Sequence, residues 1–247
     1  MVRNPKKPTG SPAKVRHVAN MAEQSMGFKV RRSTRLQSLQ QRHASQQSSQ
    51  SAKCHPPIFT IGHGTRTLLE LIELLQSAQV THLVDIRSTP RSFTNPQFNH
   101  DTLQRSTELH SARINYIWSG LSLGGRRNAK QPNIERHTTI HVAAFRNYAG
   151  YMCTSSFKYG LAELKSLAEN LQVSRKGYLA IMCSETVWWR CHRRMIADVL
   201  VTQGWEVQHL GIGKTPMKHE RWEISRIDEE GNLVYDGNER RLKRGKC

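Results

Sequence analysis

The residues best suited to chemistry lie close together in one stretch. Leu179 to Met182 is a short apolar run that ends in Cys183, Ser184 and Glu185, and about one loop later come Arg190, Cys191, His192, Arg193 and Arg194. A thiol beside cations ionises more readily than a free one, which makes Cys183 a candidate nucleophile. Cysteine is also often a small buried residue, so packing under a sheet rim is the other reading for Cys183 and for Cys191. Phosphatases and sulfurtransferases also place a cysteine after a strand, but here the following loop lacks glycine and holds Trp188 and Trp189. His63, His192 and His209 are either acid/base groups or structural histidines. Asp85 and Glu185 can orient a histidine or activate water.

Arg87, Arg91, Arg126, Arg127, Arg190 and Arg193 offer forked donors that match phosphate or carboxylate. The alternative is that Arg87 and Arg193 pair internally with Asp85 and Glu185. Trp188, Trp189 and Tyr148 can stack on a base or pack in a core. Cys183, Cys191, His192 and His63 could instead hold a metal. The cysteine spacing is not that of a common zinc motif, and adjacent Cys191 and His192 would diverge on a helix, so neither metal nor cofactor is assigned.

These groups need a scaffold, and the chain alternates strand and helix signals. Ile58–Ile61, Thr81–Arg87, Ile114–Trp118, Tyr178–Met182 and Glu206–Leu210 read as strands. Helical spacing recurs through Leu68–Leu75, from Asn99 or Asp101 to about His110, over His141–Met152 and Phe157–Leu171, and from near Arg190 to Gln203. Gly120 to Asn128 reads as a glycine- and arginine-rich loop, and Glu223–Tyr235 as a hairpin. The expected fold is α/β: a mostly parallel central sheet with helices on both faces, a disordered basic N-terminal tail and a C-terminal β-hairpin. Parallel strands would point Gly62-His63, Asp85–Ser92, Gly124–Arg127 and Cys183–Arg193 at one rim, where ligands of open α/β sheets bind. A helix starting near Arg190 would add backbone donors for an anion.

Residues 1–57 hold eleven basic residues against the single acid Glu23, with few large apolar side chains, and are expected to be a disordered tail. A single α/β domain is expected over 58–242. The net charge of +18 favours polyanions, in a non-specific and salt-sensitive way. Five cysteines without disulfide-scaffold spacing fit a reducing, intracellular compartment, cytoplasmic or nuclear; the Arg- and Ser-rich start leaves a mitochondrial address open. No apolar run reaches the length of a membrane span.

The motifs Thr60-Ile61-Gly62-His63, Leu83-Val84-Asp85-Ile86-Arg87 with Pro90-Arg91-Ser92 and Phe98, Tyr116, Leu123-Gly124-Gly125-Arg126, Phe145-Arg146-Asn147-Tyr148-Ala149, Met182-Cys183-Ser184-Glu185, Cys191-His192-Arg193 and His209 occur in this order. Together they resemble the family called domain of unknown function 488, over roughly residues 58–212. Ser184 stands where that family usually has Ala. The resemblance implies an α/β fold and no established activity.

Residue chemistry therefore carries the functional expectation. Asp85, Glu185, Cys183, His63 and His192 are the candidate catalytic groups. Gly62, Arg87, Arg91, Ser92, Gly124, Gly125, Arg126, Tyr148, Cys191 and Arg193 are the candidate ligand-binding residues. The expected ligand is anionic, a nucleotide or nucleic-acid phosphate, and the expected reaction is hydrolysis or group transfer. The alternative is a non-catalytic nucleic-acid-binding module that uses the tail and the basic rim.

Overall fold

In the computed structural model of the chain, residues 55–237 are described, all within one compact unit spanning Ala52–Cys247. The strands β1 (Ile58–Gly62), β2 (Val80–Asp85), β3 (Asn115–Trp118), β4 (Tyr178–Cys183) and β5 (Val207–His209) are parallel, and the short β6 (Met217–Lys218) closes one edge antiparallel to β5. Their order across the sheet is β3-β2-β4-β1-β5-β6. Strands β1 and β4 lie centrally and are apolar almost throughout, as burial on both faces requires. The hairpin of β7 (Ser225–Ile227) and β8 (Leu233–Tyr235) forms a separate two-stranded sheet.

The helices are α1 (Leu68–Ser77), α2 (His100–Gln104), α3 (Thr107–Ser111), α4 (Gly120–Leu123), α5 (Ala143–Tyr151), α6 (Ser155–Val173) and α7 (Arg193–Thr202). One core layer gathers Leu71, Ile72, Leu75, Leu103 and Leu109 from α1, α2 and α3. The other gathers Leu123, Tyr148, Phe157, Leu161, Met195, Ile196 and Leu200 from α4 to α7. The sheet is therefore covered on both faces. The chain moves from β1 to β2 and from β2 to β3 in one direction across the sheet, under the first layer. It moves from β3 to β4 and from β4 to β5 in the other direction, under the second. Travel in opposite directions on opposite faces keeps every crossover the same hand.

Three sequence expectations need correction. The single helix expected from residue 99 or 101 to about 110 is two short helices, because Ser106 leaves the helix and its hydroxyl caps α3 by accepting from the Leu109 N–H. The loop expected over 120–128 begins with the short helix α4. The helix expected near Arg190 starts at Arg193: Trp188–Arg190 is a separate 3₁₀ turn, and Cys191 is extended, with φ −129° and ψ 146°. The expected tail lies outside the described residues except for its end, where His55 stacks on Trp205 at 4.2 Å and its Nδ1 lies 3.3 Å from a Glu169 carboxylate oxygen. Residues 238–242 of the expected domain also lie outside them. No helix among the described residues is long and apolar enough to cross a membrane.

Candidate functional site

The parallel register sets the carboxyl ends of four strands level. Gly62 pairs with Cys183, and Asp85 pairs with both Met182 and Trp118. Connections leave β2 and β4 in opposite directions, so the crevice between them is a topological switch point, the usual ligand site of an open α/β sheet. A cleft of about 570 Å³ opens there. That volume suits a small ligand of nucleotide size.

Ten of the fifteen candidate catalytic and ligand-binding residues line the cleft: His63, Arg87, Arg91, Ser92, Gly125, Arg126, Cys183, Glu185, Cys191 and His192. Ser88, Thr89, Phe145, Thr186 and Arg190 line it as well. Five predicted residues do not. Asp85 is fully buried. It accepts from Arg87 Nε at 2.9 Å and Nη2 at 2.6 Å, from the Arg87 backbone N–H at 3.0 Å, and from the Tyr116 hydroxyl at 2.7 Å. A carboxylate so fully engaged positions Arg87 and offers the cleft no free oxygen. Gly62 lies beneath the loop after β4: a Cβ there would come within 1.8 Å of the Glu185 carbonyl oxygen. Gly124 packs against Gly120 and Ser88 in the same way. Tyr148 is fully buried and donates to the Leu123 carbonyl at 2.9 Å, so it cannot stack on a ligand. Arg193 is also buried, and its guanidinium donates to the Glu185 and Thr186 carbonyls at 2.5 and 2.7 Å. It fastens the loop that carries Glu185 and does not hold an anion.

Two lining residues have lost the freedom their predicted role needs. Arg87 also donates to the Phe98 carbonyl at 2.6 Å, and its Nη1 lies 3.1 Å from His63 Nε2. Arginine only donates, so that histidine nitrogen accepts, and the ring's proton sits on Nδ1, 2.9 Å from the Gly64 carbonyl. Both His63 nitrogens are occupied. Burial, with the Arg87 charge beside it, lowers the His63 pKa and keeps the ring neutral, so it is a poor proton carrier. Burial works against the charge of Arg87, but bonding to Asp85 outweighs it and raises the arginine's pKa. Burial and the Asp85 charge also hold the Tyr116 hydroxyl far above its ordinary range.

At the floor of the cleft sit Cys183, Cys191 and His192. The His192 Nδ1 lies 3.8 Å from the Cys183 sulfur and 3.7 Å from the Cys191 sulfur. The Cys183 pKa is held well below the usual thiol range by the Cys191 S–H donor and by His192, against the cost of burial. Burial, then the neighbouring Cys183, pushes Cys191 well above that range. Glu185 on the rim is exposed, and among the described residues it is the sole carboxylate lining the cleft. The guanidinium groups of Arg91, Arg126 and Arg190 have no acidic partner among the described residues, and all three are exposed.

Behind the rim runs a network that residue spacing did not reveal. Asp198 accepts from His219 Nε2 at 2.9 Å and from the Tyr235 hydroxyl at 2.9 Å. His219 Nδ1 is 2.9 Å from His209 Nε2, and His209 Nδ1 is 2.6 Å from the Thr60 hydroxyl. All of these groups are buried. Trp188 stacks on His209 at 4.3 Å and 8° between planes, so this tryptophan is a packing residue. The signal that could have pointed here is Asp198 itself, an acid set in the apolar face of a predicted helix.

A doubly wound α/β sheet with a cationic, thiol-floored cleft at its switch point defines the class of the protein. The chain belongs to the family described as Domain of unknown function DUF488, whose model matches residues 67–200. That match runs from just before α1 into α7 and includes every cleft residue except His63 and Gly64. No curated protein and no solved structure matches the chain.

Proposed function

We propose that the cleft binds a nucleotide-like or nucleic-acid phosphate and supports hydrolysis or group transfer on it. One observation carries this reading: among the described residues, Arg91, Arg126 and Arg190 surround a polar cleft whose lining includes a single carboxylate, Glu185, while the other cleft arginine, Arg87, is already neutralised by Asp85. Three unpaired guanidiniums against one acid leave a positive field that an anionic ligand would complete. Glu185, exposed beside them, is the proposed acid/base group. The free thiols Cys153, Cys183 and Cys191 support an intracellular setting.

The test is a calorimetric titration of the full chain with nucleoside monophosphates, nucleoside triphosphates and short RNA and DNA oligonucleotides. Replacing Arg91 and Arg126 by Ala should weaken binding by about tenfold each, since a charge-assisted hydrogen bond is worth about 1.5–3 kcal/mol and exposure places these near the lower end. Glu185→Gln should abolish turnover of a nucleotide-library substrate while leaving binding and folding in place. Binding that ignores both arginine substitutions and vanishes on removal of residues 1–57 would instead favour a non-catalytic nucleic-acid-binding module. The eleven basic residues against one acid in that segment support this second reading.

A further inference from the structure

The cleft floor combines two sulfurs and an imidazole in a way that the anion site above does not use. The three ligating atoms, Cys183 Sγ, Cys191 Sγ and His192 Nδ1, all lie within 4.8 Å of one another, and all three residues are buried. The two sulfur–nitrogen separations, 3.8 and 3.7 Å, are at the long end for hydrogen bonds to sulfur. They are close to the edge of a tetrahedron built on a zinc ion, about 3.6 Å between a sulfur and a nitrogen from the usual zinc–ligand lengths. The spacing of the residues hides this arrangement. Successive helical residues would diverge, but Cys191 is extended and His192 occupies the turn before α7. Both side chains can therefore reach back to Cys183 at the end of β4.

A second feature fixes the position of the ring. Gly125 packs closely on the His192 imidazole, where a Cβ would fall 2.5 Å from Nδ1 and 2.6 Å from the neighbouring ring carbon, so a side chain at residue 125 would displace the ring. Cys183, Cys191, His192 and Gly125 all line the cleft.

We infer that Cys183, Cys191 and His192 form a three-ligand zinc site whose fourth position faces the cleft. Thiolate and imidazole donors suit zinc better than calcium or magnesium, which take oxygen ligands. Two cysteines and one histidine with an open position is a ligand pattern of catalytic zinc, whereas structural zinc is closed by four protein ligands. This site goes beyond the anion-binding reading and stands or falls separately, because metal content is measured with no ligand added.

The experiment uses the full chain, expressed in zinc-supplemented medium and purified under reducing conditions, with elemental analysis followed by X-ray absorption at the zinc edge. The expected result is about one zinc per chain with two sulfurs and at least one nitrogen in its first shell. Cobalt substitution should give thiolate-to-cobalt charge-transfer absorption. Cys183→Ser and Cys191→Ser should each lose most of the metal, and Cys153→Ser, at a cysteine that does not line the cleft, should keep it. Because the cleft variants could fail to fold, the shell composition of the unaltered chain decides independently. Zinc at far below one per chain, a shell without sulfur, full retention by both cleft variants, or a Cys183–Cys191 disulfide in the chain isolated without reductant would each overturn the inference.

Discussion

Asp85 and Arg87 show how a single residue can look like a catalyst and act as a support. The carboxylate lies at a strand end beside chemistry-bearing residues, but all its capacity goes to Arg87 and Tyr116. Asp85→Asn would leave a buried guanidinium without its counter-charge, and losing one partner of a buried pair costs about 3–5 kcal/mol. Tyr116→Phe removes one bond to a charged acceptor and should cost about 1.5–3 kcal/mol. Urea denaturation of the two variants should rank Asp85→Asn as the more damaging; equal midpoints would mean that the pair contributes little. Spacing alone could not separate these roles. The i, i+2 distance from Asp85 to Arg87 was visible, and so was the possibility of an internal pair, but the third partner, Tyr116, stands 31 residues away. Arg193 departs from its expected role for a related reason: its partners are carbonyl oxygens, which residue type does not reveal.

At the scale of elements, the five parallel strands and their alternation with helices were legible, because buried strands and amphipathic helices have different periods. Boundaries that depend on caps and turns were less so, as at Ser106 and at the start of α7. The capping box of α1 is a clear case of a local signal. The Thr67 hydroxyl accepts from the Glu70 N–H at 3.2 Å, while the Glu70 carboxylate accepts from the Thr67 N–H at 2.7 Å. Thr67→Ala should cost about 1 kcal/mol and leave ligand binding unchanged. A glycine under the cleft should behave otherwise. A methyl at Gly62 would strike the Glu185 carbonyl oxygen, a backbone atom that cannot rotate aside. Gly62→Ala is therefore expected to displace the loop bearing Glu185, costing about 1–3 kcal/mol in chemical denaturation and weakening ligand affinity with it. A variant that loses stability but binds unchanged would show that the loop is not part of the site.

For the whole molecule, the buried histidines predict a pH dependence. Burial lowers the pKa of His209 to about 2 and, with Arg136 nearby, that of His137 to about 4. Both folded values lie below the unfolded value near 6.5, so the unfolded chain takes up protons first as the pH falls. The stability linked to these groups is complete above about pH 6.5. It is lost below that, through pH 4 for His137 and further for His209, at about 1.4 kcal/mol per pH unit for each. Urea midpoints should drop steadily between pH 7 and 5, and a flat profile would contradict the neutral, buried state of both rings. The tertiary network that buries His209 was the least legible part of the chain, since its members come from β1, β5, α7, the segment before the hairpin and β8. The frame of the cleft is of another kind. The His63 N–H donates to the Cys183 carbonyl and the Gly64 N–H to the Ser184 carbonyl, so the turns after β1 and β4 are joined through main chain alone. Such a seam does not depend on which side chains it carries. Substitutions at Ser184, Glu185 or Thr186 can change what the mouth accepts while its two lips stay in register, so altered selectivity need not bring collapse.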